Sequence, residues 1–253
     1  RTWSGKKPLT EPTNGLPVFW NCPRISKFRD GRIVVLIDKV FSPDKSASPD
    51  QCKNYLLFSN DEGKTWSELI ETPAKGIVPD KPLELENGRW ILSCHFEDKE
   101  FGYLVQRLWY SDDQGSSWEG PFIVGKEEGL NLCEVSILPV DDNKLVAFLR
   151  ENSGVGMDCY KTISCDLGRT WEDAVPFPLP GCHRPVAGWL NNGQVMITHR
   201  LMQGGKGWTG WWTQNLFAAL TDKESVLAET RNNAHTRILP IDFDRSPESD
   251  TGY

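Results

Sequence analysis

The sequence predicts an all-β chain folded as a β-propeller with about four blades present. Three observations predict it. A tryptophan-bearing motif recurs at blade length, a second series of turn signals falls between its copies, and the stretches between turns are short and rich in β-branched and aromatic residues. The motif reads SNDEGKTW from Ser59, SDDQGSSW from Ser111 and SCDLGRTW from Ser164, which places Trp66, Trp118 and Trp171 52 and 53 residues apart. The second series is RDGR at Asp30-Gly31, ENGR at Asn87-Gly88, DDNK at Asp142-Asn143 and NNGQ at Asn192-Gly193.

Each element follows from these two series. Asp-Gly, Asn-Gly and Asp-Asn pairs are hairpin signals, and a two-residue type I′ loop with positive φ at both positions is expected at each. RIVVLI, RWILSC, KLVAFL and QVMITH follow the turns as second strands, while KNYLLF, QRLWY and CYKTI run into the motif as third strands. No stretch carries a helical period. Blade units of roughly 20–77, 78–132, 133–182 and 183–250 result, within a single domain spanning 1–253. In the motif, Asp61, Asp113 and Asp166 can close a turn by accepting from nearby N–H groups, glycine supplies the permissive φ, and Trp66, Trp118 and Trp171 pack on adjacent strands. These residues are therefore read as structural, in preference to a calcium or catalytic site at every copy. Four hairpins are fewer than a closed propeller of this kind needs. The chain opens on RTW, like GRTW at 168–171, and stops at SDTGY, where another inner strand is expected, so it reads as an interior fragment of a longer propeller.

Bulk properties narrow the function. A net charge of −7 argues against a nucleic-acid partner. No apolar run approaches the ~20 residues of a membrane span. Seven cysteines without a CxxC pair fit reduced thiols better than a disulfide or zinc framework. No spacing makes metal ligands of His183 and His199, and neither metal nor cofactor is expected.

Candidate chemistry belongs at the end opposite the hairpin turns and motif turns. Counting nine residues back from each turn's second residue gives Cys22, Pro79, Glu134 and Arg184; counting seven forward gives Asp38, His95, Arg150 and Arg200. The forward series holds no apolar residue, which suggests a polar, arginine-bearing pocket around the axis. Solvated strand ends are the competing reading, least favoured for Glu134 and Arg150, which fall on one hairpin. Trp208, Trp211 and Trp212 could stack on a sugar face or wedge their loop against the blade.

These residues resemble the sialidase (neuraminidase) superfamily of six-bladed propellers. The repeats look like that family's Asp boxes, and the sharper match is Glu134, Arg150 sixteen residues later, and a late Tyr253 in DTGY. CHRPV from Cys182 resembles the family's fifth-blade opening. The resemblance implies a retaining glycoside hydrolase acting on a terminal acidic sugar of a glycan, with Tyr253 as nucleophile, Glu134 as its base and Arg150 holding the substrate carboxylate. A neutral tyrosine suits a sugar whose anomeric carbon bears a carboxylate, because an anionic nucleophile would be repelled. The family's first-blade arginine and acid/base aspartate would lie upstream of Arg1. The family's third arginine is replaced by Gln214 in TQNLFAAL, so Arg184 or Arg200 would have to substitute for it, while Asp38 and His95 complete the substrate-binding set. Two alternatives keep the propeller: a polysaccharide lyase acting on uronic acids, with His95 or His199 as base, and a non-catalytic glycan-binding module.

Overall fold

Alternation of apolar residues along the strands builds the architecture, which a computed structural model describes for residues 5–12, 18–41, 52–77, 80–153, 157–202 and 214–243. The first sheet comprises β1 (Val18–Lys27), β2 (Ile33–Phe41), β3 (Cys52–Ser59) and β4 (Ile70–Lys75). The second holds β5 (Leu83–Glu84), β6 (Trp90–Glu97), β7 (Leu104–Ser111) and β8 (Glu119–Gly125). The third holds β9 (Leu132–Asp141), β10 (Lys144–Glu151), β11 (Asp158–Ser164) and β12 (Val175–Pro180), and the fourth β13 (Cys182–Trp189), β14 (Val195–Met202), β15 (Gln214–Thr221) and β16 (Arg237–Asp242). Strands follow one another in chain order within every sheet, so each is an antiparallel meander and the four form a four-blade propeller arrangement.

Period-two patterning sends successive side chains to opposite faces of a blade. Val34, Leu36 and Leu56 meet Trp90, Leu92 and Cys94 between the first and second blades. Ile91, Leu108 and Val124 meet Ile137, Leu145, Ala147 and Leu149 between the second and third. Val146, Phe148 and Phe177 meet Ala187, Val195, Ile197 and Ala219 between the third and fourth. Consecutive residues such as Ala147 and Phe148 thus serve different neighbours. Trp118 and Trp171 each lie against the core between their own blade and the preceding one.

The hairpin turns depart from the expected geometry. In the first, Gly31 N–H donates to Phe28 O (3.0 Å) and Phe28 N–H to Arg32 O (2.9 Å), which is a three-residue loop closed by glycine at φ +91°. The ENGR and NNGQ turns repeat it, with Gly88 at +87° and Gly193 at +82°. Only the glycine has positive φ. The preceding Asp or Asn instead accepts from the N–H two residues on: Asp30 from Arg32, Asn87 from Arg89 and Asn192 from Gln194. A type I turn with a glycine bulge therefore replaces type I′, because the side chain locks the turn from within.

At the motif turns, Asp61 Oδ1 accepts from Thr65 N–H (2.8 Å), its Oδ2 accepts from the Thr65 hydroxyl (2.6 Å), and Ser59 Oγ accepts from Gly63 N–H (2.8 Å). The same bonds recur at Asp113 and Asp166. The Thr65 and Ser117 donors hold Asp61 and Asp113 down at about 2, so both are ionised acceptors. The third turn is clasped by the second blade: Arg89 donates to both oxygens of Asp112 (2.7 and 2.8 Å), to Leu167 O (3.0 Å), and lies over the Tyr110 ring.

In the fourth blade a short helix, α1 (Lys223–Leu227), follows β15. The fully buried Lys161 of the third blade donates to its Ser225 and Val226 carbonyls (3.3 and 2.6 Å). Burial pushes the Lys161 ammonium down to about 8.

Polar bonds join the inner strands. Asp80 Oδ2 accepts from Ile137 N–H of the next blade (2.9 Å), and Ser136 Oγ accepts from Ala187 N–H of the blade after that (3.0 Å). Burial raises Asp80 to about 6 despite its Ile137 and Lys81 N–H donors. Because the folded value lies above that of the unfolded chain, the protonated form favours folding. Its contribution is fully present below about pH 4 and is lost as pH rises through 6, roughly 3 kcal/mol in all. Because burial lowers His95 to about 4 and so adds stability over the same range, the loss is read as the difference between wild type and Asp80→Asn in denaturation from pH 4 to 7; a difference that does not change with pH would contradict the assignment.

Candidate functional site

Three β-bulges shape the end of the blades away from the turns. Pairing of β1 with β2 breaks between Asn21 and Arg24, of β9 with β10 between Phe148 and Arg150, and of β13 with β14 between His183 and Val186. The residue opening each bulge has left-handed backbone: Cys22 at φ +43°, Glu134 at +44° and Arg184 at +53°. Such values are uncommon for residues with a Cβ and cost of order 1–3 kcal/mol each. They are three of the four positions that the nine-residue count selects; the fourth, Pro79, lies outside the described residues. A bulge turns one side chain away from the alternation of its strand.

The Glu134 bulge sits beside the most developed ionic site. Glu134 Oε1 and Arg150 Nη1 are 2.8 Å apart, with side-chain exposures of 6% and 7%, so this is a buried ion pair. Arg150 lies directly across from Cys133 in the register, which puts the pair on one hairpin. His95, from β6 of the preceding blade, accepts the Glu134 backbone N–H at Nδ1 (3.3 Å) and is itself buried. Burial lowers His95 to about 4, with the attraction of Glu134 opposing and the repulsion of Arg150 adding, so the ring is neutral near pH 7.

The remaining predicted residues distribute as follows. Arg200 pairs across from His183, next to Arg184, and both arginines are buried. Asp38 is fully buried opposite Asn21, whose Nδ2 donates to it (3.1 Å). Gln214 opens β15 across from Met202. Asp61, Asp113 and Asp166, with Trp66, Trp118 and Trp171, lie at the other end of the blades. Tyr253 and Trp208, Trp211 and Trp212 lie outside the described residues.

The turn end also carries a cleft of about 380 Å³, lined in part by Arg29, Glu84, Glu86, Asp141 and Trp189. Asp141 is engaged by Lys223, and Glu84 by the Arg29 N–H, at exposed positions. At the bulge end Asp38, Glu134, Arg150, Arg184 and Arg200 are buried charged residues, and interactions of buried charges are less screened.

Two features escape a reading of residue types. Nothing about Glu or Arg announces a left-handed backbone; only their shared offset from the turns marks the position. Asp80, in DKP, carries no signal for its reach to the next blade.

The BNR repeat-like domain family matches residues 1–224 of the chain. Over 94 residues, the chain is 30% identical to vacuolar protein sorting/targeting protein 10 of Eremothecium gossypii, a stretch covering 37% of this chain and 6% of that protein. An α-L-arabinofuranosidase from Fusarium graminearum superposes with a TM-score of 0.65 at 17% identity, covering 88% of this chain and 66% of the other. A Hadza microbial sialidase gives a TM-score of 0.62 at 17% identity, covering 81% and 43%. At such identities the structural likeness speaks to the fold. The chain spans less than two thirds of the length of each of these relatives.

The pair itself is open to test. Glu134→Ala should cost about 3 kcal/mol, because a buried guanidinium loses its carboxylate, and adding Arg150→Met should recover most of that loss. Urea denaturation of the two variants measures both. Arg150→Met costing as much stability with Glu134 absent as with it present would mean that the two charges are not coupled.

Proposed function

The chain belongs to the BNR repeat-like domain family, and from that membership and the buried Glu134–Arg150 pair we propose that it is part of a sialidase-like, retaining glycoside hydrolase acting on a terminal acidic sugar of a glycan. The observation that carries the proposal is the pair's placement: a carboxylate and a guanidinium face each other at 2.8 Å at a strained bulge, with two further buried arginines one blade away. On this reading the closed propeller has six blades.

The chemistry follows from the residue types. Arg150, joined by Arg184 and Arg200, would bind the sugar carboxylate through charge-assisted hydrogen bonds, and Asp38, His95 and Gln214 would border the pocket. Tyr253 would attack the anomeric carbon as a neutral phenol while Glu134 takes its proton; the glycosidic bond breaks as the aglycone leaves as its alcohol, protonated by the family's acid/base aspartate, and water then displaces Tyr253 from the covalent intermediate, returning its phenol proton from Glu134. A phenol with a pKa near 10 needs such a base at neutral pH. A uronic-acid lyase using His95 as its base is less well supported, because the Nδ1 lone pair of that ring is taken up by the Glu134 amide.

Full-length protein assayed with a fluorogenic sialoside tests the proposal directly. Turnover is expected, with Tyr253→Phe abolishing it and Arg150→Lys lowering kcat/KM on the order of a hundredfold, as for loss of an oriented donor. Absence of turnover by wild type would remove the hydrolase reading, and a normal kcat/KM for the Lys variant would place Arg150 outside the site.

A further inference from the structure

We propose that His95 is a positioning residue that sets the backbone of Glu134, and through it the aim of the Glu134 carboxylate toward a bound sugar acid. The inference rests on the reading of the Glu134–Arg150 pair given above.

The argument begins with strain. Glu134 holds φ +44°, a conformation that persists only where its surroundings over-determine it. Within the bulge the strand's own ladder is interrupted, since Glu134 and Val135 together face Leu149. The Glu134 N–H is instead taken up across the blade boundary by His95 Nδ1. An imidazole nitrogen can accept only while it carries no proton, which fixes the tautomer with hydrogen on Nε2. The lowered His95 pKa keeps that lone pair available at neutral pH.

The ring is a rigid post. His95 exchanges two backbone hydrogen bonds with Ile77, Ile77 N–H to His95 O at 2.9 Å and the reverse at 3.4 Å. Gly76, at φ +127°, lets the chain approach closely enough for this: a Cβ there would meet His95 O at 2.5 Å. Asp38, the equivalent residue one blade earlier, accepts within its own hairpin from Asn21. His95 reaches outward to its neighbour instead. A shift of the Glu134 backbone would move the carboxylate relative to Arg150 and to a sugar bound beside the pair.

Two substitutions separate positioning from packing. Asn at 95 places Oδ1 where Nδ1 stands, at the same number of bonds from Cβ, and so keeps the acceptor; Leu keeps the bulk and removes it. In the full-length protein, the Glu134 amide resonance and the affinity for free sialic acid are measured for both. His95→Asn should retain the downfield Glu134 amide and bind sialic acid more tightly than His95→Leu. His95→Leu should move that amide upfield and weaken sialic acid binding by about tenfold, equivalent to one lost hydrogen bond. Should the Leu variant fail to fold, His95→Gln takes its place with the same expectation, its amide oxygen lying one bond too far out. An unmoved Glu134 amide in the acceptor-less variant, or an Asn variant as impaired as Leu, would overturn the proposal. If wild type does not bind sialic acid, the substrate reading fails while the amide shifts still decide the role of His95.

Discussion

The inner blades of this protein bury their apolar residues against one another. Alternation along β6 and β10 commits each of these strands to two cores, one on either side. Val146 and Phe148 face the fourth blade while Leu145 and Ala147 face the second. Stability is therefore a property of neighbours. The motif tryptophans fit this logic, since Trp118 and Trp171 lie against a boundary core rather than within a blade.

Polar side chains at the inner strands answer a different demand. Ladder bonds lie within a blade, so the inner strands leave donors facing sideways. Asp80 and Ser136 satisfy two of them, for Ile137 and Ala187, and His95 satisfies a third for Glu134. The Glu134–Arg150 pair needs a separate account. Burying two charges is a poor route to stability, because desolvation offsets most of the attraction and apolar residues of similar volume would do as well. Placing that pair at a strained bulge adds a further cost. Together these costs are the physical ground on which the proposed assignment of the pair to chemistry rests.

Much of this was legible in the sequence because turns are local. Asp-Gly and Asn-Gly pairs fixed the hairpins, the spacing of Trp66, Trp118 and Trp171 fixed the blade length, and equal offsets from the turns singled out Cys22, Glu134 and Arg184. The turn type was misjudged, because an Asx bond from Asp30, Asn87 or Asn192 competes with the type I′ geometry and depends on one side-chain rotamer. Long-range partners stayed hidden for a plain reason. His95 and Glu134 are 39 residues apart, and Asp80 and Ile137 57, and no local pattern encodes a hydrogen bond from one blade to the next. The fourth blade's helix was missed as well: Lys223–Leu227 is too short to display a period.

That helix has an implication for how the units are ordered. Its carbonyls at Ser225 and Val226 are met by an ammonium that the third unit, through Lys161, keeps entirely out of water. Exchange the third unit for the first or second, and the carbonyls face a stranger; move the fourth elsewhere, and a cation is stranded in oil. Repeats that look like interchangeable tiles thus carry a directional key, and shuffling them would violate electrostatics before it violated shape.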